Sequence, residues 1–342
     1  MGTDLGDLIE PEEIDFEKMN DRTIAVDAMN TLYQFLSIIR QRDGTPLKDS
    51  HGRVTSHLSG LFYRTGKLYR KNISTVYVFD GETPELKSKE SAERRKKREE
   101  AREEWEELKE EGKMEEAFTK ATQSSEINED MILESKKLLD AMGVPYVQAP
   151  SEGEAQAAQM NKQSNAWAVG GQDWDSLLFG ADRMVRNLTI TGKRKVQGKQ
   201  EYREVVPEKI DADDAFEQFG FGREKLVWLG VLMGTDYNPG GIKGIGPKRG
   251  LDLVREHDSF ESLKEDEKFE WEHDVEPETI IDFFMDPPVE EDVNFEGGEP
   301  DRERIIEILV EEHEFSGDRV ESSLDKYMDA RSERQRGLES FT

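Results

Sequence analysis

Three short apolar runs of the chain, residues 23–26, 75–79 and 166–171, lead into a carboxylate or a pair of carboxylates. Seven acidic residues occupy such strand ends, helix starts or turns: Asp27, Asp80, Glu152, Glu154, Asp173, Asp175 and Asp236. Carboxylates that converge repel one another unless cations lie between them. Oxygen ligands without His or Cys favour Mg²⁺ or Mn²⁺ over zinc, and a surplus of carboxylates indicates two ions about 4 Å apart, the arrangement used for phosphodiester hydrolysis. The acids therefore predict a metal-dependent nuclease.

Parallel strands are the elements that would bring these acids together. The apolar runs alternate with helical periodicity, clearest over residues 28–40 and 56–69, which is typical of an α/β fold with buried strands. In an open α/β sheet the binding crevice lies beyond the carboxyl ends of the strands. The acids that follow the runs are therefore expected to converge although they are far apart in sequence.

Some of the acids, taken singly, also have a plain structural interpretation. Residues 151–154 fit the capping box S-x-x-E, so Glu154 would only close the start of a helix. Asp80 before a glycine, and Asp236 before an N-P-G sequence, each fit an ordinary turn. Turns alone explain the whole set poorly, because the acids lie inside segments that are otherwise apolar.

The composition sets limits on where and how the chain works. It has 342 residues, no cysteine and a net charge of −29, and charged residues make up 36% of it, where about 25% is typical. We find no signal stretch and no run of about 18 apolar residues, so we expect a cytoplasmic protein that does not enter membranes. A halophilic cytoplasm would explain the acidity, because molar salt screens the repulsion, and an acidic protein-binding surface would give similar counts.

Residues 87–121 interrupt the α/β pattern. They are nearly all Lys, Arg and Glu with a few large apolar residues at intervals, which predicts exposed helices with a thin apolar stripe. The basic run at 94–98 would contact phosphates or would form a solvated helix face paired with nearby Glu. After the insertion the α/β pattern resumes, a polar β-hairpin follows at 187–207, and the chain beyond residue 211 is predicted to be helical, with surface helices and loops over 259–300.

A glycine-rich motif, GIKGIGPKRG, covers residues 241–250 and has the pattern of a helix-hairpin-helix. Gly244 and Gly246 would let the backbone approach phosphates, and Lys243, Lys248 and Arg249 would add positive charge. The alternative is a plain glycine-rich loop. Such a hairpin beside a metal site would indicate a nucleic-acid substrate.

The sequence resembles the flap endonucleases of the structure-specific 5′ nuclease family, archaeal type. The resemblance covers nearly the whole chain and rests on the blocks IAVDAMNTLYQFLSIIRQ, GRVTSHLSGLFYRT, VYVFDGETPELK, VQAPSEGEAQAA, DSLLFGADRMVRNLTITGKRK and LMGTDYNPGGIKGIGPK, in that order. It implies a PIN-like nuclease core with a central mixed, mostly parallel sheet, a helical arch formed by the insertion, and a helix-hairpin-helix that holds duplex DNA.

The resemblance also implies roles for individual residues. The seven acids would hold two Mg²⁺, with Mn²⁺ as a substitute, and K⁺ would bind at the helix-hairpin-helix. Lys87 and Arg94 match catalytic cations at the base of the arch, Tyr33 an aromatic that stacks on a base, and Gly2 the processed N-terminus near the substrate. Arg40 and Arg64 match residues near the DNA. Gly171 and Trp174 depart from the usual Ser and Tyr, but neither change removes a carboxylate.

The implied organisation is a nuclease region at 1–98, the arch at 99–125, a second nuclease region at 126–258, a C-terminal helical region at 259–331 and a tail at 332–342. Gln335, Leu338 and Phe341 match a peptide that docks on the sliding clamp (PCNA), with Thr342 where a second aromatic is usual. The last dozen residues are expected to be disordered until they bind. The implied protein is a monomer that cuts branched DNA with a 5′ flap in replication and repair.

Three other interpretations remain at this point. The first is a related 5′ exonuclease or a repair endonuclease that cuts bubbles, although the insertion is short and the clamp peptide is present. The second is a catalytically silent DNA-binding or clamp-adaptor protein, which would have lost metal ligands. The third is an acidic interaction protein, whose acids would be scattered without regard to strand ends.

Overall fold

The computed structural model describes residues 3, 5–41, 43–190, 192–195 and 202–339; for residues 85, 88–95, 114–115, 123, 192–195, 202–203 and 335–339 it describes the backbone alone. The strands are β1 (Glu12–Glu13), β2 (Thr23–Asp27), β3 (Ser74–Phe79), β4 (Tyr146–Gln148), β5 (Ala168–Gly170), β6 (Arg183–Arg186), β7 (Gly192–Lys195), β8 (Tyr202–Val205) and β9 (Glu208–Asp211). The α-helices are α1 (Ala28–Ile38), α2 (Ser56–Tyr69), α3 (Ser88–Glu110), α4 (Met114–Gln123), α5 (Glu129–Ala141), α6 (Gly153–Lys162), α7 (Asp175–Leu178), α8 (Ala212–Phe219), α9 (Arg223–Met233), α10 (Pro247–Glu256), α11 (Phe260–Lys264), α12 (Pro277–Met285), α13 (Arg302–Ile306) and α14 (Gly317–Glu339). Two 3₁₀ helices (Phe16–Met19 and Glu85–Lys87) and a π-helical stretch (Glu307–Glu312) complete the set.

A seven-stranded sheet in the order β1-β9-β6-β5-β2-β3-β4 forms the centre of the molecule. Strands β2 to β6 pair in parallel, whereas β9 runs antiparallel to both β6 and β1. From β2 the chain moves outward through β3 and β4 and then returns to β5 on the other side of β2. The order of the strands therefore reverses between β2 and β5, which is where open α/β sheets bind ligands. The predicted α/β fold with a mixed, mostly parallel sheet is confirmed.

Alternate side chains of the central strands enter two hydrophobic cores, one on each face of the sheet. Ala25 belongs to one core together with helices such as α6 and α9, whereas its neighbours Ile24 and Val26 belong to the other with α1, α2 and α14. This alternation follows from the two-residue period of a strand. Because both faces are covered, only the ends of the strands remain open for a site.

The charged insertion forms two helices, α3 and α4, that pack against each other. Its small apolar residues Ala101, Ala117 and Ala121 are buried. Trp105 Nε1 donates to the carbonyl oxygen of Asp43 at 3.4 Å, which attaches the insertion to the loop after α1. Helix α3 begins at residue 88, so the expected boundary between residues 98 and 99 falls inside this helix.

Two expectations about the C-terminal part were wrong. Helix α14 continues to Glu339, so the backbone of most of the expected disordered tail is helical. Helix α12 is part of the core and not only of the surface, because Ile280 and Phe284 are fully buried.

The predicted hairpin is present as β7 paired antiparallel with β8. No helix in the described ranges is long and apolar enough to cross a membrane.

Candidate active site

Asp27 is the last residue of β2 and also caps the helix that follows. Its Oδ1 accepts a hydrogen bond from the backbone N–H of Asn30 at 3.0 Å, which satisfies a donor at the start of α1. Asn30 in turn donates from Nδ2 to Asp173 Oδ2 at 2.7 Å. One asparagine, which the sequence did not mark out, therefore links the acids at the ends of β2 and β5.

Asp80 follows β3 and is fixed by the start of α6. Its Oδ1 accepts from the backbone N–H of Gly153 at 2.8 Å. A Cβ atom at residue 153 would lie 2.7 Å from that oxygen, so a glycine is needed there. Desolvation and repulsion from Glu152 raise the pKa of Asp80 to about 6, even though the side chain reaches solvent.

Glu152 and Glu154 flank the first residue of α6. Glu152 stands at the cap position, but no side chain there accepts a capping hydrogen bond, and Ser151 Oγ instead donates to the carbonyl oxygen of Glu82. The alternative interpretation of residues 151–154 as a capping box is therefore wrong. Glu154 Oε1 is buried without a hydrogen-bond partner among the described residues, which leaves an acceptor for a cation.

Asp175 is the first residue of α7 and is buried. Its Oδ1 accepts from the backbone N–H of Thr3 at 2.8 Å, so the N-terminal segment is held against the site. Gly2 itself lies outside the described residues. Thr3 was missed because a backbone donor leaves no pattern in the sequence.

Asp236 is carried by the loop that follows α9. The fully buried Asn238 holds this loop: its Oδ1 accepts from both the N–H and the hydroxyl of Thr235, and its Nδ2 donates to the carbonyl oxygen of Val231 at 2.7 Å. The loop is therefore a rigid support for the acid. The N-P-G sequence indicated a turn, but its partners could not be read from the sequence.

Lys87 reaches into the group of acids from the base of the insertion. Its Nζ lies 2.8 Å from Glu152 Oε2 and 3.4 Å from Asp236 Oδ2. The ammonium group also lies 5.4 Å from the ring centroid of Tyr237. Burial opposes the charge, but the two carboxylates prevail and raise the pKa of Lys87 above its usual range. One acid at the start of α6 and one from the α9 loop are thus bridged by a single cation.

The acids from different strands lie close enough to repel one another. Burial, and then the charge of Asp80, raise the pKa of Asp27 to about 8. Burial, and then Asp236, raise the pKa of Asp175 to about 7. Burial and the charge of Asp175 raise the pKa of Glu154 well above its usual range. A cation that enters the cluster would relieve this repulsion, so its binding is electrostatically favourable.

The donor set fits a hard divalent cation. All seven groups offer oxygen, and one buried carboxylate oxygen lacks a partner in the described part of the chain. Within the described ranges no three His, Asp or Glu side chains stand in an arrangement that already closes around one ion. The ammonium group of Lys87 already places a positive charge between Glu152 and Asp236.

The basic residues expected near DNA differ in their surroundings. Arg40 donates to the carbonyl oxygens of Leu36 and Gly44 and to Ser125 Oγ, so it ties α1 and the loop after it to the segment that follows α4. Arg64 donates to the carbonyl oxygen of Thr189 at 2.5 Å. Both are therefore engaged inside the protein. Tyr33 is half-buried on α1, and Arg94 lies in α3 with its side chain outside the described part.

The glycine-rich motif joins α9 to α10 as a helix, a tight loop and a helix. Ile242 and Ile245 are buried and anchor the loop, whereas the five residues expected to bind phosphate are exposed: Lys243, Gly244, Gly246, Lys248 and Arg249. Gly244 has a φ of +81°, which favours glycine, and its carbonyl oxygen accepts from Arg249 Nη1 at 3.1 Å. The helix-hairpin-helix geometry predicted from the motif is therefore present.

Two residues of the predicted clamp-binding peptide, Gln335 and Leu338, have their backbone in α14. The third, Phe341, lies outside the described residues. Their contacts with a partner stay a prediction.

Known proteins share both the sequence and this architecture. The XPG N-terminal domain model matches residues 3–101, and the XPG I-region model matches residues 143–236. Flap endonuclease 1 of Pyrococcus furiosus is 51% identical over 342 residues, which cover 100% of this chain and 99% of that protein. The chain belongs to the flap endonuclease family.

Relatives and solved structures of this family extend the comparison. Flap endonuclease 1 of Aeropyrum pernix is 48% identical over 344 residues, covering 99% of this chain and 98% of that protein. The structure of flap endonuclease-1 from Methanococcus jannaschii superimposes with a TM-score of 0.76 at 39% identity and covers 97% of this chain and 100% of that one. The catalytic core of Rad2 in complex with DNA substrate has a TM-score of 0.68 at 25% identity, over 96% of this chain and 100% of that one. The resemblance seen in the sequence is confirmed.

Proposed function

We propose that this flap endonuclease hydrolyses the phosphodiester bond at the base of a 5′ flap and also acts as a 5′-3′ exonuclease, in Okazaki fragment maturation and in repair. One observation carries the proposal. Acids from the ends of three neighbouring parallel strands, from the start of α6 and from the α9 loop converge, together with Lys87, where the strand order reverses. That is the expected place for a catalytic site in this fold.

The charge of the site supports two magnesium ions. Seven carboxylates within one cluster carry up to seven negative charges, and two divalent ions with Lys87 would offset five of them. The ions would be held by the seven acids, with Mn²⁺ as a substitute, and would supply activated water and charge stabilisation for in-line attack on the phosphate. A single divalent ion would leave most of the repulsion in place.

The protein's own groups would position the substrate. Lys87, with Arg94 near it in the chain, would offset charge that grows on the phosphate oxygens. Asn30 and the N–H of Thr3 keep two of the acids in place, which limits how far the ligands move during the reaction. Tyr33 would stack on a base near the cleavage point.

Duplex DNA would lie on the helix-hairpin-helix. The exposed Lys243, Lys248 and Arg249 would contact phosphates, and K⁺ would bind between the loop backbone and the DNA. The Rad2 core was solved with a DNA substrate, which supports a DNA ligand for this chain. Selectivity would come from the shape of the junction and from passage of the 5′ strand under the arch.

The protein would act as a monomer in the cytoplasm, at the nucleoid, and would dock on the sliding clamp (PCNA) through Gln335, Leu338 and Phe341.

Its net charge of −29 favours a salt-rich cytoplasm, because screening would relieve the repulsion between surface acids. We therefore expect flap cleavage to be faster in molar KCl than at 0.1 M KCl.

Cleavage of a 5′-labelled double-flap DNA in molar KCl tests the proposal. We expect a cut at the flap base with Mg²⁺ that disappears with EDTA and in Asp175→Ala. Asp182→Asn, an exposed acid outside the cluster, should cut at the wild-type rate. Binding of the DNA without any cut would contradict the proposal and favour a silent clamp adaptor.

A further inference from the structure

A cleft of about 280 Å³ lies at the amino-terminal ends of β2 and β3, at the opposite end of the strands from the acidic cluster. Five separate parts of the chain line it: the start of β2, residues 69–76 at the start of β3, Pro145 before β4, residues 295–299 after α12, and Arg331 and Arg334 of the last helix. Its volume is just below the range of about 300 to 1,000 Å³ that is typical of sites for small organic molecules. Neither the catalytic site nor the expected DNA surface uses it.

The cleft has a positive charge balance in a chain whose net charge is −29. Two guanidinium groups line it against one carboxylate, that of Glu299. Arg334 donates from Nη1 to Ser74 Oγ, and Arg331 donates from Nη2 to the carbonyl oxygens of Gly298 and, at 3.4 Å, Gly143. A guanidinium has five N–H donors, so these bonds leave donors on both side chains for a further acceptor.

A buried hydroxyl group gives independent support for a ligand. Thr75 lines the cleft and is fully buried, and its Oγ1 has no hydrogen-bond partner among the described residues. Buried hydroxyl groups nearly always have a partner, because the loss of hydration otherwise goes uncompensated.

The remaining walls are apolar and partly aromatic. Tyr69, Pro145 and Phe295 line the cleft, and the Arg331 guanidinium lies 5.1 Å from the ring centroid of Tyr69. We propose that the cleft binds a small organic anion with a flat apolar body and a hydrogen-bond donor. The arginines would bind the phosphate or carboxylate group of this ligand, and the aromatic walls would pack against its apolar body. Glu299 would accept a hydrogen bond from its donor group. A nucleoside monophosphate has all three features, and its binding would hold α14 against the start of the sheet.

Isothermal titration of the full-length protein with dAMP, in EDTA and at constant molar KCl, tests this site. EDTA removes metal-assisted binding at the acidic cluster. We expect saturable binding of one dAMP per chain, about tenfold weaker in Arg334→Gln and in Thr75→Val, since each loses about one hydrogen bond. Arg302→Gln is the matched control, because Arg302 contacts Asp325 of α14 but does not line the cleft.

Inorganic phosphate and deoxyadenosine serve as separate arms, and both should bind at least tenfold more weakly than dAMP. Amide hydrogen exchange of the wild type gives a second readout: dAMP should slow exchange in α14, and phosphate should not. The proposal would be overturned by no saturable dAMP binding up to millimolar concentration, by equal binding of phosphate and dAMP, or by binding that both cleft substitutions leave unchanged. Flap cleavage by Thr75→Val should match the wild type whatever the titration shows.

Discussion

Gly153→Ala is the most direct test of how the site is built, because the substitution adds one methyl group beside a ligand without removing any carboxylate. The new Cβ would lie 2.7 Å from Asp80 Oδ1 and 3.1 Å from the carbonyl oxygen of Val78. Relief of the first contact needs about 0.5 Å of movement or more. The carboxylate is the more movable partner, since the carbonyl oxygen belongs to β3.

The expected effects on stability and on catalysis differ. Alanine in a helix gains up to about 1 kcal/mol over glycine, and strain on the 2.8 Å hydrogen bond from residue 153 to Asp80 costs a similar amount. We expect the free energy of unfolding to change by less than about 1 kcal/mol. Misplacement of a catalytic group by 0.5 to 1 Å costs about 10 to 100-fold in rate, so single-turnover flap cleavage should fall by that factor.

Gly171→Ala is the matched control. Residue 171 follows β5 near the same site, and a Cβ there would meet no atom within 4 Å. Single-turnover cleavage at saturating enzyme and urea unfolding should be measured for both variants. Full activity in Gly153→Ala, or an equal loss in Gly171→Ala, would refute the argument that Asp80 is positioned by the absence of a side chain at residue 153.

Three further predictions concern other parts of the site. If Lys87 offsets charge on the phosphate as proposed, Lys87→Met should lower the single-turnover rate about 100-fold; the exposed Lys96→Met is the control, and a rate within threefold of the wild type would contradict that role. Asn238→Ala should lower the free energy of unfolding by about 2 to 4 kcal/mol in urea, because the groups it bonds remain buried without partners, whereas the exposed Asn165→Ala should change it little. The pKa of Asp175 is raised to about 7 in the folded state, so its ionisation lowers stability progressively as the pH rises from about 4 to 7. Asp175→Asn should therefore melt higher than the wild type in EDTA at pH 8, with the difference shrinking towards pH 4, and lower than the wild type in Mg²⁺; an unchanged melting temperature in EDTA at pH 8 would contradict this.

Much of the fold could be predicted from the sequence because its signals are local. The strand that ends at Asp27 and the helix Ser56–Tyr69 have hydrophobic periods that burial on one or both sides imposes. The insertion was evident from a change of composition, and the helix-hairpin-helix from glycines whose conformations other residues rarely adopt. The continuation of α14 beyond residue 331 was missed because its polar sequence resembles that of a disordered tail.

The candidate site also has a part that the sequence predicted and a part that it did not. The acids were recognised because each one stands at the end of a local element, and strand ends of a parallel sheet meet at one edge. The groups that hold the acids in place were not recognised. The N–H of Thr3 is 172 residues from Asp175, and the amide of Asn30 is 143 residues from Asp173. Such contacts depend on the strand order, which hydrophobic patterns do not encode.

The sequence by itself therefore determined the α/β class, the seven acids and the membership of a nuclease family, because residue type and local period suffice for each. Only the tertiary structure decided which acids are neighbours, that Lys87 lies between two of them, and that Gly153 must lack a side chain. It alone revealed the cleft beneath Arg331 and Arg334, whose walls come from five separate stretches of the chain. The physical reason is that distances between remote residues are set when the sheet assembles and its two faces are covered, and no short stretch of sequence carries that information.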